Sequence, residues 1–425
     1  MFKNIRLQNL AREGFWIIIG QLFTIFGSLY FIKIITTKLE PSLFGSVSLL
    51  LSVSTFFSQV LYGGVGSGVA RFFSVAEIKM DLLGYFEKSK QIVFKTSMFL
   101  FGFGVLAVLL LLIFGYGNIV LLTVYIIFIT VLNGIISVLN NFQNSARQRA
   151  IVALHNGLGV ILKIILALFL FSLFGANETN LLGAIFLSSV IVLISQLIFL
   201  RNRWKNKISI VGSTQSNYNW SSQIWAYAFS VILWSSFMAL HQLSDKWALE
   251  YYNSLKDVGV YTVLFQLGYT PTLLIMTNIL AFLSPIMYQR AGDGKDLIKN
   301  KYVDSILTRL VWLTFLFSII GFLIAYFLHR EILTLIVSNS YLEYSYLLPF
   351  FVLSAGIFSA GQILNLKMES KIQVKEMVFI KISTSICAIC SNFLLSAFYG
   401  INGVLASLFI YSLTFFGGML FVSKK

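Results

Sequence analysis

Apolar runs long enough to cross a membrane recur along almost the whole of this chain. They lie at 14–37, 42–66, 93–115, 118–140, 151–174, 181–200, 224–250, 257–287, 303–328, 344–366, 378–398 and 401–422. A bilayer-spanning helix needs roughly 20 mostly apolar residues, because the hydrocarbon offers no partner to an unpaired backbone amide. Twelve such runs in 425 residues leave only short segments between them, the longest at 67–92 and 201–223. Those fall well short of the 50 or so residues of a small folded domain. Charged residues make up 11% of the chain, against about 25% in a soluble domain. The first run is too long for the core of a signal peptide, about 7–15 residues, and reads as a retained helix. The expected fold class is an all-α polytopic membrane protein with twelve transmembrane helices.

The charges test that reading. Lysine and arginine collect in the cytoplasmic loops of membrane proteins. With the N-terminus inside, the inner segments hold Lys3, Arg6 and Arg12; Arg71, Lys79, Lys88, Lys90 and Lys95; and Arg147 and Arg149. They also hold Arg201, Arg203, Lys205 and Lys207; Arg290, Lys295, Lys299 and Lys301; Lys367, Lys371, Lys375 and Lys381; and Lys424 and Lys425. The outer segments hold only Lys38, Lys246, Lys256 and Arg330. One false or missing helix would invert the pattern beyond it, so the charges predict twelve crossings with cytoplasmic N- and C-termini. They also explain the net charge of +15 without nucleic acid as a partner. Short turns are expected at GYGN (115–118), GANETN (175–180) and YGIN (399–402).

The chain repeats itself weakly. EPSLFGSVSLLLS begins at Glu40 and SLKDVGVYTVLFQ at Ser254, each a polar turn followed by a glycine (Gly45, Gly259) and an apolar helix. The offset is 214 residues, from 45 to 259. Six helices per half is an even number, so the halves share one orientation and form a parallel repeat, 1–200 and 224–425, joined by a cytoplasmic linker at 201–223. Halves of this kind rock about a site near the midplane. In the stretch MALHQLSDKWALEYY (238–252), the same offset sets Asp245 and Lys246 against Phe31 and Ile32, inside a helix. The pair then lies about 7 Å within the outer end of that helix.

Three stretches carry a family resemblance: TTKLEPSLFGSVSLLLS, GGVGSGVARFFS, and SDKWALEYYNSLKDVGVYTVLFQLGYTP. With the helix count and the repeat, they make the chain resemble the polysaccharide flippases, for O-antigen and capsule repeat units, of the multidrug/oligosaccharidyl-lipid/polysaccharide exporter superfamily. The resemblance implies two six-helix halves around a central cavity in the bacterial inner (plasma) membrane. It implies a cargo of undecaprenyl-pyrophosphate-linked oligosaccharide, moved to the outer leaflet, with membrane lipids and the polysaccharide polymerase machinery as further partners. No catalytic residues and no metal or other cofactor are expected, and coupling to a proton or sodium gradient or to the membrane potential is left open.

Charged side chains inside spans are costly and mark functional positions by default. Lys33, Lys163, Lys246 and Arg309 are the intramembrane bases, and Arg71 follows GGVGSG at the inner end of the second run. These five are the candidate substrate-binding residues, since a pyrophosphate needs cations; long bases can also snorkel to headgroups, and Arg71 also fits the loop-charge rule. The glycines of GGVGSG are expected to let the helix bend or unwind. His241 and Asp245, four residues apart on one helical face, are candidates for ion or proton coupling or form a structural pair. Of the faces of this helix, that of His241 and Asp245 is expected to be the cavity wall. Pro271 is a candidate gating kink, or a static one, because proline removes one helical hydrogen bond. Deep amides at Gln21, Asn133, Gln196, Asn278, Gln362 and Asn392 either line a cavity or bond between helices. The CxxC of Cys387 and Cys390 is expected to be packed as small apolar residues.

Other functions fit less well. A cation-coupled drug antiporter of the same superfamily tends to use carboxylates in its first half, and the apolar runs of this first half contain none. A membrane polymerase or ligase needs a sizeable outer loop, and the largest here, near 329–343, is short. A pure scaffold has no use for charges buried in its spans.

Overall fold

In the computed structural model, residues 2–210, 218–291, 296–370 and 374–423 are described. Part of the expected linker (211–217) and Lys295, Lys371, Lys424 and Lys425, expected on the inner side, lie outside the described residues. The described chain is helical almost throughout. The helices are α1 (Phe2–Lys38), α2 (Pro41–Phe57), α3 (Gly63–Ile78), α4 (Leu82–Ile113), α5 (Gly117–Ser145), α6 (Arg149–Phe174) and α7 (Glu178–Ile210). They continue as α8 (Trp220–Tyr252), α9 (Leu255–Leu264), α10 (Thr270–Ala291), α11 (Leu297–Ile336), α12 (Leu348–Ser370) and α13 (Val374–Ser423). Wider π-helical turns join α2 to α3 (Ser58–Tyr62) and α9 to α10 (Phe265–Tyr269) without breaking the rod. Among the described residues, eleven helical stretches are long and apolar enough to cross a membrane.

The difference from twelve lies in α13, a continuous stretch of 50 residues with one non-helical residue inside it, Gly400 (φ 57, ψ −133). Its two arms lie side by side. Ser407 donates to the carbonyl of Ala388 and bonds the hydroxyl of Ser391, and a side chain on Gly403 would run into the carbonyl of Leu395. The chain therefore doubles back at YGIN. The turns GYGN and GANETN likewise reverse through a glycine at positive φ, Gly115 and Gly175, both at 80°. Such backbone angles are readily adopted only without a Cβ.

The contacts divide the chain into two compact units, Met1–Gly27 with Leu49–Ala239, and Ser28–Ser48 with Leu240–Lys425. Helices α1 and α8 each contribute to both. In the first unit, α1 lies against α6 with Gly20 facing Ala153 and Gly27 facing Val160. Small residues at a spacing of seven let the backbones approach, which is how helices gain contact where lipid removes the hydrophobic drive. A core of Tyr62, Val65, Phe73, Tyr85, Phe142 and Trp220 fills the same unit. In the second unit α12 is the central helix, with Gly356 against Ser318 of α11 and Gly361 against Phe415 of α13.

Cys387 and Cys390 are exposed on α13, contrary to the packed position expected of them. An apolar face turned to lipid has the same composition as one turned to a core, so the residue types alone do not separate the two.

Replacing Gly400 by Ala puts a Cβ at a glycine-favouring angle and 3.1 Å from Oδ1 of Asn253. Strain of this kind costs about 1–3 kcal/mol. Gly400→Ala is expected to lower the thermal unfolding midpoint of the purified protein by several degrees, whereas Gly417→Ala, in open space, should leave it unchanged.

Candidate functional site

In the first unit, α3 runs through GGVGSG without unwinding; the departure from α geometry is the π turn just before it. The glycines serve close packing. Gly64 and Gly68 admit Ala228, Ile232 and Ile224 from the first part of α8, and Gly66 faces Asn141 and Val138 of α5. Arg71, one turn on, is exposed. Lys163 is half-buried near the middle of α6 and has no hydrogen bond or ion pair among the described residues.

The same unit contains a chain of carboxamides. Gln196 of α7 donates from Nε2 to Oδ1 of Asn140 at 2.7 Å and to Oε1 of Gln143 at 3.0 Å. Asn140 in turn donates to Oδ1 of Asn156 on α6 at 3.2 Å. One step along, Ser189 donates to Asn133 at 3.0 Å. Gln143 and Gln196 are fully buried, and Asn156 is exposed. The other deep amides divide differently: Asn278 bonds its own helix at Leu274, Asn392 bonds Ser244, and the side-chain nitrogen of Gln21 is buried without a partner among the described residues.

One contact at the head of α4 is not legible in the sequence. Asp81 caps α4, accepting from the backbone N–H of Gly84 at 3.1 Å, and its other oxygen accepts from Nε1 of Trp220 at 2.7 Å. Trp220 is the first residue of α8 and is buried against Tyr85. An Asp at the head of a helix is a cap signal, but its indole partner is 139 residues away.

The second unit holds Lys33, His241, Asp245, Lys246, Pro271 and Arg309. Asp245 and Lys246 fall inside α8, as the repeat implies. The carboxylate of Asp245 accepts from the hydroxyl of Tyr261 at 2.6 Å and from the backbone N–H of Lys246. His241 stacks on Tyr411 with ring centroids 4.0 Å apart. Only 5% of His241 and 7% of Asp245 are exposed, so the face they share with Ser244 is the packed side of α8 in this unit. Gln242 and Trp247 point outward, and Lys246 is half-buried without a hydrogen bond or ion pair from its ammonium among the described residues. Lys33 and Arg309 are exposed. Pro271 follows the π turn at Phe265–Tyr269, where the N–H of Thr270 reaches back five residues to Phe265. The wider turn accommodates a ring that has no N–H to offer and would crowd the carbonyl four residues back.

The second unit also contains the two repeat glycines. A Cβ on Gly45 would strike the carbonyl oxygen of Leu255, and one on Gly259 would strike that of Pro41. Pro41 and Leu255 are the first residues of α2 and α9 and are themselves 214 apart, from 41 to 255. The contact is thus reciprocal: each helix start rests its glycine on the first carbonyl of its repeat partner. Beside it, Tyr341 donates to the carbonyl of Leu39 at 3.3 Å, and Lys256 pairs with Glu343 at 2.8 Å. Burial pushes the Tyr341 phenol above the usual tyrosine range, which keeps it a donor.

This geometry is that of a multi-pass membrane protein with a known architecture. The chain aligns at TM-score 0.70 and 16% identity with a multidrug resistance MATE family transporter of the MOP superfamily in an inward-facing conformation, covering 95% of this chain and 96% of that one. It aligns at 0.70 and 15% identity with the lipid II flippase MurJ in an inward closed conformation, covering 98% and 88%. A Vibrio cholerae MATE transporter aligns at 0.67 and 13% identity, covering 98% and 97%. No curated protein sequence matches the chain. Residues 10–291 match the profile described as polysaccharide biosynthesis protein, and the chain belongs to that family.

Asp81→Ala removes a helix cap, worth about 1 kcal/mol, and orphans a buried indole N–H at a further cost of about 1–3 kcal/mol. The variant is expected to unfold at lower temperature with red-shifted tryptophan emission. Asp81→Asn has a single acceptor oxygen and keeps the cap or the indole bond but not both, so its midpoint should fall between those of the wild type and Asp81→Ala.

Proposed function

We propose that this protein is a flippase that carries an undecaprenyl-pyrophosphate-linked oligosaccharide from the cytoplasmic to the outer leaflet of the bacterial inner membrane, for O-antigen or another surface polysaccharide. It crosses the membrane twelve times, α13 supplying two crossings through its reversal at Gly400, with both termini cytoplasmic. The sequence halves 1–200 and 224–425 alternate in access around a central cavity. The observation that carries the reading is Lys163, an ammonium deep in a span with no partner among the described residues, in a chain of the polysaccharide biosynthesis protein family. A charge there needs a counter-ion, and a pyrophosphate supplies one. Lys33, Arg71, Lys246 and Arg309 extend the cationic character to the rest of the path. The protein breaks no covalent bond in this scheme, so it is not an enzyme, and it hands its cargo to the polymerase machinery.

Alternating access assigns a role to the reciprocal glycines. They are the outer closure, a contact that must separate when the outer side opens. His241 and Asp245 are the candidates for coupling to a proton or sodium gradient, and Pro271 with its π turn is the candidate flexing point.

A drug antiporter is the second reading, because the MATE transporters align as well as the lipid flippase does. The absence of any carboxylate from the apolar runs of the first half weighs against a cavity for cations.

Lys163→Ala and Lys33→Ala, singly and together, are expected to reduce surface polysaccharide in a strain lacking its own flippase. Full complementation by both single variants and the double would remove the cationic path. Gly45→Leu should arrest transport, because the outer closure cannot form, while leaving membrane insertion intact. Wild-type transport by Gly45→Leu would show that this contact does not open and close.

A further inference from the structure

The amide chain of the first unit ends at an exposed residue, and the helix that carries it shows which way that residue points. At about 100° per residue, Asn156, Val160, Lys163 and Ala167 fall within a sector of about 60° on α6. The exposed apolar residues Leu154, Ile161, Ile165, Leu168, Phe169 and Leu173 centre roughly 170° away from it, while Phe174, the last residue of the helix, is exposed within the sector. Those apolar side chains suit lipid. Asn156 and Lys163 therefore share the side of α6 turned away from lipid, separated by about 10 Å along the axis.

Asn156 is also held in one orientation. Its Oδ1 accepts from Asn140, whose own Oδ1 is fixed by Gln196, and Gln196 is tied to Gln143. Gln143 and Gln196 are buried and Asn140 is half-buried, while the Nδ2 group of Asn156 has no hydrogen bond among the described residues. A primary amide that presents two free donors from a fixed mount, inside a span, is costly unless something accepts from it. An ammonium one step away along the same face selects for anionic neighbours of that acceptor.

We propose that Asn156 is the sugar-recognition point of the transport path: its amide donates to a hydroxyl or acetamido oxygen of the glycosyl ring next to the pyrophosphate, while Lys163 holds the pyrophosphate itself. This rests on the lipid-linked oligosaccharide reading and deepens it. The spacing suits a cargo in which a charged group and a neutral, hydroxyl-rich ring are directly joined. Asn140, Gln196 and Gln143 act as positioning residues, holding the amide of Asn156 with its donors outward.

The test compares two probes on the purified full-length protein: a polyprenyl pyrophosphate, and the same lipid carrying one N-acetylhexosamine. Loss of one ligand hydrogen bond corresponds to roughly tenfold in affinity. Asn156→Ala, a change that an exposed helix position accommodates, is expected to weaken the glycosylated probe by about that factor and leave the bare lipid unchanged. Asn156→Gln keeps the carboxamide and should recover the difference. Lys163→Ala should weaken both probes in the same proportion. Equal weakening of both probes by Asn156→Ala, or no effect on either, overturns the assignment of Asn156. Failure of the unmutated protein to bind either lipid overturns the lipid-linked reading on which the assignment rests.

Discussion

Two helix starts meet in the second unit because neither carries a side chain where they meet. Gly45 rests on the first carbonyl of α9, and Gly259 rests on the first carbonyl of α2. In a bilayer the hydrophobic effect does not draw helices together, so backbone approach at small residues supplies the contact. This contact sets α2 against α9, and the neighbouring bonds from Tyr341 to Leu39 and from Lys256 to Glu343 gather round it. The two sides of the contact come from the two copies of one repeat, so a single sequence feature solves both halves of the steric problem. Any side chain at either position would act on both helices at once.

The same logic runs through the first unit in a different form. Gly20 and Gly27 bring α1 onto α6, and Gly64 and Gly68 bring α3 onto the first part of α8. Where a helix start cannot rely on glycine, a polar bond takes over: Asp81 fixes the head of α8 through Trp220. Interhelical polar bonds in membranes average only about 0.6 kcal/mol each. The carboxamide chain from Gln143 to Asn156 is therefore better understood as fixing geometry than as a main source of stability. That geometry is what gives an otherwise ordinary asparagine a defined direction, and it places the one exposed amide of that chain on the same face as a lysine that has no hydrogen bond or ion pair among the described residues.

Much of this was legible in the sequence, for physical reasons that differ from place to place. Turns at Gly115, Gly175 and Gly400 could be read because positive φ selects glycine. The connections at Met80 (φ 52) and Arg147 (φ 57) also take positive φ but without glycine, and so gave no signal. The repeat exposed Gly45 and Gly259 as a pair, and it correctly placed Asp245 and Lys246 inside a helix. It did not show that the His241 and Asp245 face of α8 is packed against Tyr411 and Tyr261, since side-chain direction needs the neighbouring helices. The amides were visible as a set but could not be sorted, because whether an amide bonds its own helix, as Asn278 does, or another, as Asn392 does, depends on what faces it. GGVGSG looked like a point of weakness and is a point of close packing.

The central claim is that the cargo is a lipid bearing a sugar through a pyrophosphate. The most direct test is reconstitution of the purified protein into liposomes carrying a fluorescent polyprenyl-pyrophosphate oligosaccharide in one leaflet, with a membrane-impermeant quencher reporting its arrival in the other. The account predicts transfer that depends on the protein and falls when Lys163 is replaced by Ala. Absence of transfer, together with movement of a cationic drug by the same vesicles, would contradict it.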